Sequence, residues 1–179
     1  GLMGIRRIRL RPVAGYAALF GSQDLSTGVQ AGTLVAPGLQ PPGTGALMVA
    51  STAYAGALLG RSFVAGQFET EGRRDFTGGL WDSMISSGRA AWYLKPAPQL
   101  LLTLDDEVAV GHRGRLPTQF EFSDPVGGVR GYSRSRFAGE ERNVVRAEAR
   151  WAQPALIKRS DLGFAVFTDM GHLWAGDVP

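Results

Sequence analysis

The sequence contains no cysteine. That excludes a disulfide framework and a thiolate metal site. It suits a protein that crosses an oxidising compartment, although many cytosolic proteins share it. Long apolar runs are absent too, and no stretch approaches the ~18–20 residues of a membrane-spanning helix. The charged opening GLMGIRRIRLRP has no apolar segment behind it, so it does not read as a signal peptide. Histidine is scarce. His112 and His172 stand far apart, without an H-E-x-x-H metal pair or a G-x-S-x-G nucleophile in the chain. His172 reads as a strand-end residue. The adjacent acids Asp105, Asp106 and Glu107 lack the spacing of a calcium loop, and on a strand they would point to opposite faces. No catalytic residue, metal or cofactor is expected. Charge of one sign is also lacking. The net charge is +3 and the arginines are interspersed with acids, so nucleic acid is not an expected partner.

What is abundant is glycine, with 25 residues, beside 10 prolines. Each glycine inside a helix costs about 1 kcal/mol, which argues against a helical bundle. Alternation with a period of two is plain instead. Between Arg142 and Trp151, the residues Arg142, Val144, Arg146, Glu148 and Arg150 share one face; Asn143, Val145, Ala147, Ala149 and Trp151 share the other. Between Leu162 and Trp174, Phe164, Val166, Thr168, Met170 and Trp174 oppose Gly163, Ala165, Phe167, Asp169 and Gly171. Leu100, Leu102, Leu104, Val108 and Val110 oppose Gln99, Thr103, Asp105 and Glu107, with Asp106 as the misfit. Arg89, Tyr93 and Lys95 oppose Ala90, Trp92 and Leu94. Ala46–Leu58 and Val29–Val35 are weaker strands, and residues 1–20 suggest two more.

A soluble sandwich alternates in the same way. Two features favour a membrane barrel. The strands read as about ten residues long, near the ~9–11 that cross a bilayer at a tilt. Trp92, Tyr93, Trp151 and Trp174 fall near strand ends, where an interfacial girdle would lie. The links also alternate: long at 36–45, short at 58–62, long at 71–88, short at 95–98, very long at 111–141 and short at 154–161. That rhythm is an up-and-down barrel with long outer loops and tight inner turns. About eight or nine strands are expected, as part of a larger barrel, because a sheet in lipid must close to pair its backbone.

The longest link carries GGVRGY at 127–132. Gly128-Val129-Arg130-Gly131-Tyr132 resembles the V-R-G-Y/F motif of the bacterial surface antigen superfamily, the BamA-, TamA- and FhaC-like outer-membrane assembly and two-partner secretion transporters. Phe167-Thr168-Asp169-Met170-Gly171 resembles that family's F-x-D-x-G motif, and Glu148 falls where the family places an inward acid. LPTQFEFSDPVGG keeps the family's proline, phenylalanines and Gly-Gly before the motif and little else. The likeness in motifs covers roughly residues 110–179; upstream it is architectural.

The resemblance implies an outer loop folded back into the barrel, with Arg130 locked to Asp169 and Glu148 as second acceptor. An unpaired charge in a water-poor interior is costly, and a guanidinium can bridge two carboxylates. Arg142, Arg146 and Arg150 would form a stripe lining a wet interior. The expected protein is one partial transmembrane barrel domain of a Gram-negative outer membrane, with the family's periplasmic POTRA repeats and final strands outside this chain. Its implied work is inserting outer-membrane proteins or exporting a partner polypeptide, without chemistry. The implied partners are outer-membrane lipid, an unfolded protein substrate, and periplasmic chaperones or lipoproteins. The alternatives are a passive barrel anchoring a separate periplasmic or hydrolase domain, an outer-membrane enzyme, or a soluble β-sandwich.

Overall fold

A computed structural model describes residues 1–16, 21–38, 45–76, 81–112, 119–132, 137–157 and 160–174. Parts of the expected links, at 39–44, 77–80, 113–118, 133–136 and 158–159, lie outside these residues.

The described chain is all-β. In order the strands are β1 (Leu2–Ala14), β2 (Ser22–Gly38), β3 (Ala46–Leu59), β4 (Ser62–Asp75), β5 (Trp81–Ala97), β6 (Leu100–His112), β7 (Phe120–Glu121), β8 (Ala138–Gly139), β9 (Glu141–Ile157) and β10 (Ser160–Trp174). Eight of them form one antiparallel up-and-down sheet, β1-β2-β3-β4-β5-β6-β9-β10, while β7 and β8 pair within the long link. The sheet is not closed: β1 and β10 are its edges.

The strands are longer than the sequence suggests, at 13–17 residues in the main sheet. Most of the link expected at 71–88 is strand: Arg73 faces Asp82 and Arg74 faces Trp81. Charge, glycine and serine made this stretch read as a loop, yet alternate side chains on a wet face can be polar without ending the pairing. The register shifts between Glu71 and Arg73, and Ser83 opposite has φ 51°, so a bulge absorbs the irregularity. Residues 2–14 form a single strand rather than part of two. The β3–β4 turn is tight, with Leu59 paired to Ser62 and Gly60 at φ 60°, a left-handed first position that glycine adopts at no steric cost.

The sheet curls about a concave face. Arg150 on β9 donates to the carbonyl of Tyr16 beyond β1, and Lys95 on β5 donates to the carbonyl of Ala14. Inside this curl Tyr16, Leu25, Phe63 and Leu101 form a buried apolar cluster, joined by Val13, Ala65 and Tyr93. Tyr93 is therefore not a girdle residue; its ring packs inward against Tyr16 and Phe63, both at 6.1 Å. Trp151 faces outward and stacks on Phe164 at 5.9 Å. The convex face carries exposed Val29, Leu104, Val108, Phe164, Val166 and Met170. The facing expected for β6, β9 and β10 is present, and Asp106 is the outward misfit, its carboxylate accepting from Asn143 Nδ2 at 2.6 Å.

Candidate functional site

The site is the meeting of the β6–β9 link with the concave faces of β6, β9 and β10. Along β9 the inward residues are Arg142, Val144, Arg146, Glu148 and Arg150. Three of these, Arg142, Arg146 and Glu148, take hold of the link at successive levels. Arg142, only 4% exposed, donates to the carbonyls of Glu121 (2.8 Å) and Val126 (3.3 Å) and to Asp124 (2.5 Å) and Glu107 (3.4 Å). Arg146 donates to the carbonyl of Gly128 (3.0 Å) and to Asp105 (2.8 Å) and Glu107 (3.3 Å). Glu148 accepts from Arg130 Nη1 and from Arg150 Nε.

Among the described residues of the link, Arg130 is the most connected. Its Nη2 donates to Asp169 Oδ1 at 2.6 Å, its Nε lies 3.1 and 3.0 Å from the two Asp169 oxygens, and its backbone N–H reaches Asp169 Oδ2 at 2.9 Å. Its guanidinium sits 4.0 Å above the Phe167 ring. A planar donor fork can meet one carboxylate side-on, a second acid end-on and an aromatic face at once; a lysine cannot. The two acids are almost wholly covered, with side-chain exposures of 3% for Asp169 and 8% for Glu148, whereas Arg130 keeps 34%. The Arg130 side chain thus keeps 34% of its surface exposed, in a wetter setting than the water-poor interior expected of it. Its hydrogen bonds to Asp169, then to Glu148, hold its pKa above the ordinary arginine value against the opposing effect of burial, so it stays charged at every working pH.

The glycines answer separate steric needs. Gly127 has φ 79°, and a Cβ there would run into Glu107 and Arg142. A Cβ on Gly128 would strike the backbone of Phe122 and Asp124. Gly131 has φ 80° with open space around it, so its need is conformational alone. Gly171 on β10 is the seat of the link: a Cβ would meet the Phe122 ring and come within 2.9 Å of Val129 Cγ2. Tyr132 closes the turn edge-on to Phe122, at 5.7 Å.

The structure places Val129, Arg130 and Tyr132 of the first motif beside Glu148 and the inward residues Phe167, Asp169 and Gly171 of the second, while Met170 points to the convex face. It adds partners that sequence reasoning missed. Arg142 and Arg146 donate to the link, beyond the interior-lining stripe expected of them, and Asp124 and Phe122 belong to the site. The i, i+4 spacing of the two arginines on one strand face was the available signal; on the link itself three of their four acceptors are backbone carbonyls, which carry no sequence mark. Asp105 and Glu107 face inward as ion-pair partners, and among the described residues no His/Asp/Glu group is placed to hold a metal ion. His112 ends β6, and His172 on β10 packs 4.2 Å from Trp174.

No model of a known protein family, no curated protein and no solved structure matches this chain.

The seat of Gly171 yields a direct contrast. Gly171→Ala should push Phe122 and Val129 off β10, costing about 1–3 kcal/mol as an overpacked contact and exposing residues 119–132 to protease. Gly66→Ala, whose Cβ would meet nothing nearer than 4.0 Å, should leave both thermal midpoint and cleavage at wild-type levels.

Proposed function

We propose that this chain is part of an outer-membrane β-barrel of the protein-assembly or export type, in which the β6–β9 link is an extracellular loop drawn into the lumen. The observation that carries the reading is Arg130 gathered by Asp169, Glu148 and Phe167 on the inward faces of β9 and β10. The two motifs, far apart in sequence, resemble those of the surface antigen superfamily, and they meet in space. An apolar convex face opposite a charged concave one supports the same reading, since lipid-facing and lumen-facing residues alternate in such barrels.

On this reading the protein performs no chemistry. The barrel receives an unfolded polypeptide, either a secreted partner or an outer-membrane protein on its way into the bilayer. Strand pairing supplies backbone hydrogen bonds to an incoming hairpin. The Arg130 lock fixes the loop and, through β9 and β10, the shape of the wall beside it. Periplasmic chaperones or lipoproteins would deliver the substrate.

Two experiments on the full-length protein in its native outer membrane check the two halves of this proposal. Arg130→Glu and Asp169→Arg should each reduce heat-modifiable mobility and substrate assembly or export, and the double mutant should recover part of both. Wild-type behaviour of Arg130→Glu would make GGVRGY an ordinary loop. Val166→Arg, at the middle of β10 on the convex face and 76% exposed in wild type, should destabilise the barrel by about 2–4 kcal/mol in lipid. A water-facing sheet would tolerate it within about 0.5 kcal/mol.

A further inference from the structure

Below the loop lies a chamber of about 580 Å³. Its roof is residues 125–128 and Arg130; its opposite side is Tyr16 with Leu25, Phe63 and Tyr93. Tyr16 follows the last residue of β1, at the end of the sheet away from the long link. An aromatic in a connection is ordinarily exposed, yet Tyr16 is 7% exposed. Three groups hold it. Tyr93 packs on its ring, Lys95 Nζ lies 5.9 Å over the same ring while bonding the Ala14 carbonyl at 2.5 Å, and Arg150 Nη1 reaches the Tyr16 carbonyl at 3.4 Å.

Arg150 does not act alone. Its Nε donates to Glu148 Oε1, while Glu148 Oε2 accepts from Arg130 Nη1. One carboxylate therefore separates two guanidinium groups, one serving the loop tip and the other the Tyr16 turn. Resting on the barrel reading above, we infer that Tyr16 plugs the inner end of the lumenal chamber and that Glu148 couples this plug to the Arg130 lock. If Arg130 leaves, the whole carboxylate falls to Arg150, which is drawn off Tyr16. If the carboxylate is neutralised, two cations face each other and Arg150 is repelled. Either way the chamber loosens at both ends, which is what passage of an unfolded polypeptide requires.

Hydrogen exchange of the full-length protein in lipid, resolved to the segment ending at Tyr16, tests this. Arg130→Ala and Glu148→Gln should each accelerate exchange at residues 13–16 by a factor within the ordinary 5- to 150-fold range of coupled sites, as well as in the loop. Tyr93→Leu and Lys95→Met, which strip the plug's own contacts, should accelerate 13–16 and leave 119–132 at the wild-type rate or less affected. If Arg130→Ala and Glu148→Gln speed only residues 119–132 while Lys95→Met speeds 13–16, the plug stands uncoupled and the inference is overturned. If neither Lys95→Met nor Tyr93→Leu changes exchange at 13–16, there is no plug. A wild-type protein that fractionates away from the outer membrane sinks the barrel reading instead, whatever the exchange rates.

Discussion

The inward face of one strand organises the described structure. From Arg142 to Arg150, β9 spans roughly 26 Å at the ordinary strand rise. Over that distance its inward side chains grip the base of the β6–β9 link, the carbonyl of Gly128, Arg130, and the turn at Tyr16. Each grip is a charge-assisted hydrogen bond, and such bonds are shorter and stronger than neutral ones. The backbone of a strand is held by both neighbours, so these groups cannot drift independently. Residues 119–132 of the link are thereby positioned by a rigid column as well as by their own contacts.

The column works because its charges are balanced where they stand. Asp105 and Glu107 on β6 answer Arg146 and Arg142, and Asp169 on β10 answers Arg130. Removing one partner of a buried pair leaves the other uncompensated, which is far costlier than the pair itself is worth. Many apolar residues lie on the convex face, and the concave face carries an apolar cluster around Phe63 and Tyr93 beside its charges. Charge inside and hydrocarbon outside is the inverse of a water-soluble core. It is the arrangement a sheet needs if lipid lies on one side and water on the other.

Much of this was legible in the sequence. The period of two fixed the facing of β6, β9 and β10, and with it the inward placement of Glu148, Phe167, Asp169 and Gly171, because a strand offers its side chains only two directions. Strand ends were not legible. Residues 71–75 and 81–88 contain the residues that ordinarily mark a loop, and cross-strand pairing keeps them extended. For Tyr93 the alternation already put the ring on the face of Arg89 and Lys95, against its reading as a girdle aromatic; its partner Tyr16, distant in sequence, was not legible. The grip of Arg142 and Arg146 on the link was hidden because three of their four acceptors there are carbonyl oxygens, common to every residue type.

The central claim is that the loop tip sits against β10 while the segment just before it stays in water. These 179 residues contain no cysteine, so a cysteine placed among them is a unique label within this chain. Val126→Cys and Val129→Cys would be compared in the full-length protein in native membrane fragments. Val126 is 81% exposed, whereas Val129 lies against Gly171. The account predicts rapid maleimide labelling at 126, slow labelling at 129, and loss of that difference when Arg130→Ala is added. Equal, rapid labelling at both positions in the otherwise wild-type protein would contradict it.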